Sequence, residues 1–132
     1  MTRANDAIGR GDGASVLIFS TDALAGALIG AAVELVGYRP VFPLAVEGAR
    51  DAVMRLRPNA ALVDCDHEGA CAESFFGPAM MVGARVAVFS STRSYRVLEP
   101  IAAQFDVRLF TLPIELEELS ILLSDLTKAA EA

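Results

Sequence analysis

Three aspartates, Asp22, Asp64 and Asp66, are the residues whose type and spacing could do chemistry. Hard divalent cations take several oxygen ligands, usually including carboxylates. If the fold gathers these three, they form a weak oxygen-ligand cluster. Each also has a plainer role open to it. Asp22 stands with Ser20 and Thr21 just ahead of an apolar helical stretch, where all three types serve as N-caps. Asp64 can accept N–H bonds from its own loop, and Asp66 can simply be solvated.

A second group is Cys65, Asp66, His67, Glu68 and Cys71. Structural zinc sites pair their ligands twice at short spacing, and this run does not. The two cysteines form neither a CxxC pair nor a disulfide framework, so buried free thiols are expected. Nothing basic except His67 lies beside Cys65 to activate it for redox sensing. Ser90, Ser91 and Thr92 offer hydroxyls. No Gly-x-Ser-x-Gly elbow surrounds them, and His67 is the single histidine, so hydrolase chemistry is disfavoured. No catalytic residue is expected, and the chain reads as a non-enzyme.

The elements that position these residues follow a regular alternation. Residues 1–14 are polar and Gly-rich and read as a flexible leader, and 129–132 as a short tail. Between them, apolar runs at 16–19, 40–44, 60–63, 85–89 and 107–112 read as strands. Leu24, Leu28, Ala31, Ala32 and Leu35 recur at helical spacing, and Gly37 closes that helix. Ala49, Ala52, Val53 and Leu56 mark a second helix ending at Pro58. A third, at 70–76, is interrupted by Gly77-Pro78 and resumes at 80–82. Val97, Leu98, Ile101, Ala102 and Phe105 outline a fourth. Leu116, Leu119, Leu123 and Leu126 line the last, with Glu115, Glu117 and Glu118 crowding its first turn. Five strand–helix repeats predict a parallel sheet with helices on both faces. Pro43 cannot donate to a ladder, so the second strand belongs at an edge. That fits the order 2-1-3-4-5, in which ligands bind at the carboxyl ends of the first and third strands.

Composition narrows the classes. The chain has 132 residues, 54% of them hydrophobic, and a formal net charge of −6. One domain with a full core is expected. An acidic balance opposes direct nucleic-acid binding, which wants a basic face. No charge-free apolar stretch is long enough for a membrane span, and the N-terminus lacks a signal-peptide core, so a cytoplasmic protein is expected.

Residues 15–128 resemble the receiver domain of bacterial response regulators, a flavodoxin-like three-layer αβα sandwich with five helices. The resemblance is carried by residues 57–64 leading into Asp64, by 86–90 with its terminal hydroxyl, by Leu112-Pro113, and by the acidic-then-leucine helix of 114–126. It implies that Asp64 is the phosphoacceptor equivalent. It makes Ser90 the switch hydroxyl and Leu109 the match of the aromatic switch position. Where the family has an acidic pair holding magnesium, this chain has Ser20 and Thr21. Where the family has a lysine before proline, it has Leu112.

Phosphoryl transfer to a carboxylate depends on positioning and on neutralising charge. Two carboxylates and a point positive charge are lost here. The resemblance therefore implies a degenerate receiver, with no cofactor or only weakly held magnesium, whose aspartyl phosphorylation is impaired or absent. Its implied partners are proteins: a histidine kinase, an output domain or a second copy of itself as a homodimer. The implied face comprises the fourth helix, fifth strand and fifth helix, with Arg93, Arg96, Glu99, Arg108, Glu117 and Glu118. A phosphorylatable receiver built on a non-standard metal cluster is one alternative. A small-ligand domain on the same fold is another, although residues 20–24 hold no glycine to cradle a phosphate.

Overall fold

The computed structural model describes residues 13–66, 71–90 and 95–131. His67, Glu68, Ser91, Thr92, Arg93 and all of the leader except Gly13 and Ala14 lie outside the described residues. The elements run β1 Ser15–Phe19, α1 Ala23–Leu35, β2 Arg39–Val41, α2 Ala49–Leu56, β3 Ala60–Asp64, α3 Glu73–Met81, β4 Arg85–Phe89, α4 Tyr95–Phe105, β5 Arg108–Leu109 and α5 Leu116–Glu131.

The strands form one five-stranded sheet in the order β2-β1-β3-β4-β5, and every neighbouring pair is parallel. β1 and β3 are buried along their whole length. Continuous burial explains why the central strands are apolar runs instead of alternating ones. Side chains alternate between the faces. Leu17, Phe19, Ala61 and Val63 join α2, α3 and α4 in one core, while Val16, Ile18, Ala60 and Leu62 join α1 and α5 in the other. The fold is thus the three-layer sandwich with its carboxyl strand ends on one edge.

Helix α1 departs from the expected packing. Its leucines mark the helix but do not bury it: Leu24, Leu28 and Leu35 are each about two-thirds exposed. The buried side is Gly26, Ile29, Gly30 and Val33. A Cβ on Gly30 would meet the Phe42 ring at 2.7 Å, and one on Gly26 would touch Ser20 Cβ at 3.4 Å. The two glycines let α1 lie close over the end of β1. The helix ends in a Schellman turn, with Gly37 at φ 98°. Tyr38 N donates to Val33 O and Gly37 N to Glu34 O.

Other boundaries also move. α3 starts at Glu73, not residue 70, and runs through Pro78 without a break. The carbonyl that Pro78 leaves without an amide donor belongs to Ser74, which is exposed. β2 is three residues and ends before Pro43, on the expected edge. β5 is only Arg108–Leu109, with one further ladder bond from Phe110 N to Val88 O. Pro113 cannot extend it. α5 continues to Glu131, so residues 129–131 are helix and not tail.

Candidate functional site

The carboxyl ends of β1, β3 and β4 meet around Asp64, which is only 1% exposed. A buried carboxylate is costly unless hydrogen bonds replace its water, and here they do. Thr21 donates twice to Oδ2, from its hydroxyl at 2.7 Å and from its amide at 3.2 Å. The Asp66 amide donates to Oδ1 at 2.9 Å. The Ser90 hydroxyl donates to Asp66 Oδ1 at 2.6 Å, which ties the end of β4 into the same network. Register supports this meeting, because Asp64 stands opposite Phe89 and the Cys65 amide donates to Phe89 O at 2.7 Å.

The other residues of the β1 turn look elsewhere. Asp22 caps α1, its Oδ1 accepting from Leu24 N at 2.9 Å and Ala25 N at 3.4 Å. Ser20 closes the turn on itself, accepting from Asp22 N and donating to Asp22 O. Asp22 is therefore not brought together with Asp64 and Asp66. Among the described residues no group of three His, Cys, Asp or Glu side chains is placed to hold a metal ion. The donor set does not suit magnesium either. The Thr21 hydroxyl and two amides already take three of the roughly four lone-pair positions of the Asp64 carboxylate, and Ser20 and Thr21 bring no negative charge.

Leu112, where the resemblance calls for a lysine, is half-buried and packs with the α1/α5 core. It lines an apolar groove of about 340 Å³ with Ala25, Leu28, Ile29, Pro113 and Ile114. Leu109 is half-buried on the opposite face, against the core of α2, α3 and α4. Arg96, Glu99, Arg108, Glu117 and Glu118 are exposed. Arg108 spends its charge partly within the chain, on Asp125 at 3.3 Å.

The cysteines differ from expectation. Cys65 and Cys71 are not free thiols but a disulfide, with Cα atoms 5.2 Å apart. The fold allows it because β3 and the entry to α3 converge within bridging range. Cys65 is buried beside Asp64, and Cys71 is half-buried. The donor role of Thr21 was also missed by sequence reasoning. Its signal was a hydroxyl where the resemblance called for a second carboxylate, next to a strand end that already carries one.

No protein-family profile matches the chain, and no curated protein does. Solved structures do. The signal receiver domain of a modulated diguanylate cyclase from Desulfovibrio desulfuricans G20 superposes with a TM-score of 0.70 at 22% identity, covering 91% of this chain and 98% of that one. The signal receiver domain of a putative LuxO repressor from Vibrio parahaemolyticus gives 0.71 at 18% identity, over 90% and 93%. A CheY-like response regulator receiver domain protein from Methanospirillum hungatei JF-1 gives 0.68 at 16%, over 90% and 97%. The chain has the receiver-domain fold of two-component response regulators. Among the described residues no helix is long and apolar enough to cross a membrane.

Proposed function

We propose that this chain is an atypical receiver module of bacterial two-component signalling, cytoplasmic and not itself an enzyme. It acts by binding protein partners, with aspartyl phosphorylation impaired or absent. The carrying observation is the 2.7 Å bond from the Thr21 hydroxyl to Asp64. An acceptor carboxylate needs counter-charge to approach a phosphoryl anion. Here it is satisfied by neutral donors, and no cation is required to keep it buried. The candidate partners are a histidine kinase, an output domain or a second copy. The face offered is that of α4, β5 and α5, where exposed charges of both signs surround a groove of about 310 Å³ lined by Tyr95, Arg108, Phe110 and Glu118.

Beryllium fluoride with magnesium mimics an aspartyl phosphate and tests the reading. The expected result is an amide NMR spectrum and a melting temperature that do not change. A saturable shift that disappears in Asp64→Asn would overturn it and favour the phosphorylatable alternative. That alternative draws on Ser90, whose hydroxyl is connected to Asp64 through Asp66.

A further inference from the structure

We propose that Cys65 and Cys71 are a reversible dithiol–disulfide site that fixes Asp66 beyond the end of β3, and so sets how tightly Asp64 is held. The bridge closes the chain between the end of β3 and the entry to α3. Its two anchors are unequal. Cys65 is 3% exposed, and its amide is fixed to Phe89 O in the sheet. Cys71 is half-buried, one residue ahead of Ala72, the N-cap of α3. Asp66 lies inside the closed ring. Its amide holds Asp64 Oδ1, and its carboxylate holds the Ser90 hydroxyl. The bonds of one residue to the end of its own strand, β3, and to the residue after β4 are positioned by a covalent clamp immediately beside it.

The chemistry is thiol–disulfide exchange with a dithiol reductant, and exposure directs it to Cys71. A thiolate of the reductant attacks Cys71 Sγ and forms a mixed disulfide, and Cys65 leaves as a thiolate that takes up a proton. The second thiol of the reductant then attacks its own sulfur in the mixed disulfide, and Cys71 leaves and is protonated. The protein gains two electrons and two protons, and the reductant ends as its cyclic disulfide. A disulfide-bearing oxidant reverses both steps. Once reduced, Cys65 is a buried neutral thiol among Phe75, Phe76 and Val63, a stable resting form. Cys71 is then free to move away, and Asp66 holds Asp64 and Ser90 less tightly without the clamp. The site works in this way whether or not Asp64 ever accepts a phosphoryl group.

The test uses the full chain, titrated with dithiothreitol and reoxidised with its cyclic disulfide. Thiols are counted after unfolding in a non-reducing denaturant, and amide spectra are recorded for both states. The expected outcome is no free thiol before reduction and two after it, with full recovery on reoxidation. The amide signals of Asp64, Asp66 and Ser90 should shift, and those of α5 should not. Cys71→Ser, at the half-buried anchor, should give the reduced-type spectrum and lose all response to dithiothreitol. Two thiols that stay free in the oxidising buffer would overturn the proposal, as would a zinc ion retained by the pair. So would a clean reduction that leaves the Asp66 and Ser90 signals in place. The thiol count is independent of beryllium fluoride, so failure here is distinguishable from failure of the proposed function.

Discussion

Thr21 and Asp64 are joined by two hydrogen bonds, one from the hydroxyl and one from the amide, both to Oδ2. The residue that replaces an expected carboxylate has become the main donor to the remaining one. Thr21→Val keeps the shape and removes the stronger donor. It should cost about 1–3 kcal/mol, the range for a buried group left short of a partner. In the Asp64→Asn background the same change should cost less, because the charge being satisfied is gone. A double-mutant cycle by urea unfolding reads the difference, and strictly additive effects would refute a direct coupling.

The two sides of α1 should respond in opposite ways. Ile29 is 4% exposed and Leu28 is 63% exposed. Ile29→Ala should lose about 2–5 kcal/mol through transfer and cavity terms. Leu28→Gln should stay within about 0.5 kcal/mol, as surface changes do. If chemical denaturation ranks them the other way, the packing face of α1 is misassigned.

Two glycines with room for a methyl group should also diverge. Gly26 sits within α1, with its nearest neighbour at 3.4 Å from a built Cβ. Gly26→Ala should gain about 0.4–1 kcal/mol, mostly from the unfolded chain. Gly83 has nothing within 4 Å, but its φ is +81°. Gly83→Ala should lose about 1 kcal/mol because of the backbone alone. Melting temperatures of the two variants check the signs.

Acid should expose a surface clamp. Arg55 bonds both carboxylate oxygens of Glu47, and the Leu44 amide adds a third contact. These partners, the Arg55 hydrogen bonds first and the Leu44 amide next, lower the Glu47 pKa from 4.5 to about 2. Because the folded value lies below the unfolded one, the contribution is complete above about pH 4.5 and is lost as pH falls toward 2. Arg55→Gln should therefore flatten the stability profile in that window and leave its shape near neutrality unchanged. A profile that keeps its slope between those values in Arg55→Gln would assign the acid sensitivity to other carboxylates.

Much of this architecture can be read from residue types because burial on both sheet faces leaves a strong mark. The runs around Leu17, Leu62 and Ala87 are apolar throughout, and each is a strand of the expected sheet. β2 takes the expected edge, although Pro43 lies beyond it and the proline inside the strand is Pro40. The errors come where packing overrides composition. Leucine at helical spacing suggests a buried stripe, yet α1 buries its glycines, and at Gly30 the approach of Phe42 leaves no room for a side chain as the ring stands. Pro78 suggests a break, and it is tolerable because the residue whose carbonyl loses its donor, Ser74, is exposed. The site is legible only by residue type. Asp64 and Ser90 stand out by type, and the structure brings both to the carboxyl ends of neighbouring strands. That Thr21 turns in while Asp22 turns away, and that Cys65 reaches Cys71, depends on distances that spacing does not encode.

The contact between Gly30 and Phe42 has a consequence for how this chain can vary. Helix and loop share one fixed space there, and the ring already fills it. Position 30 can grow only if position 42 shrinks or swings outward into solvent. The two should behave as a conserved sum of volumes, so that in any lineage of such chains a larger residue at one position is accompanied by a smaller one at the other.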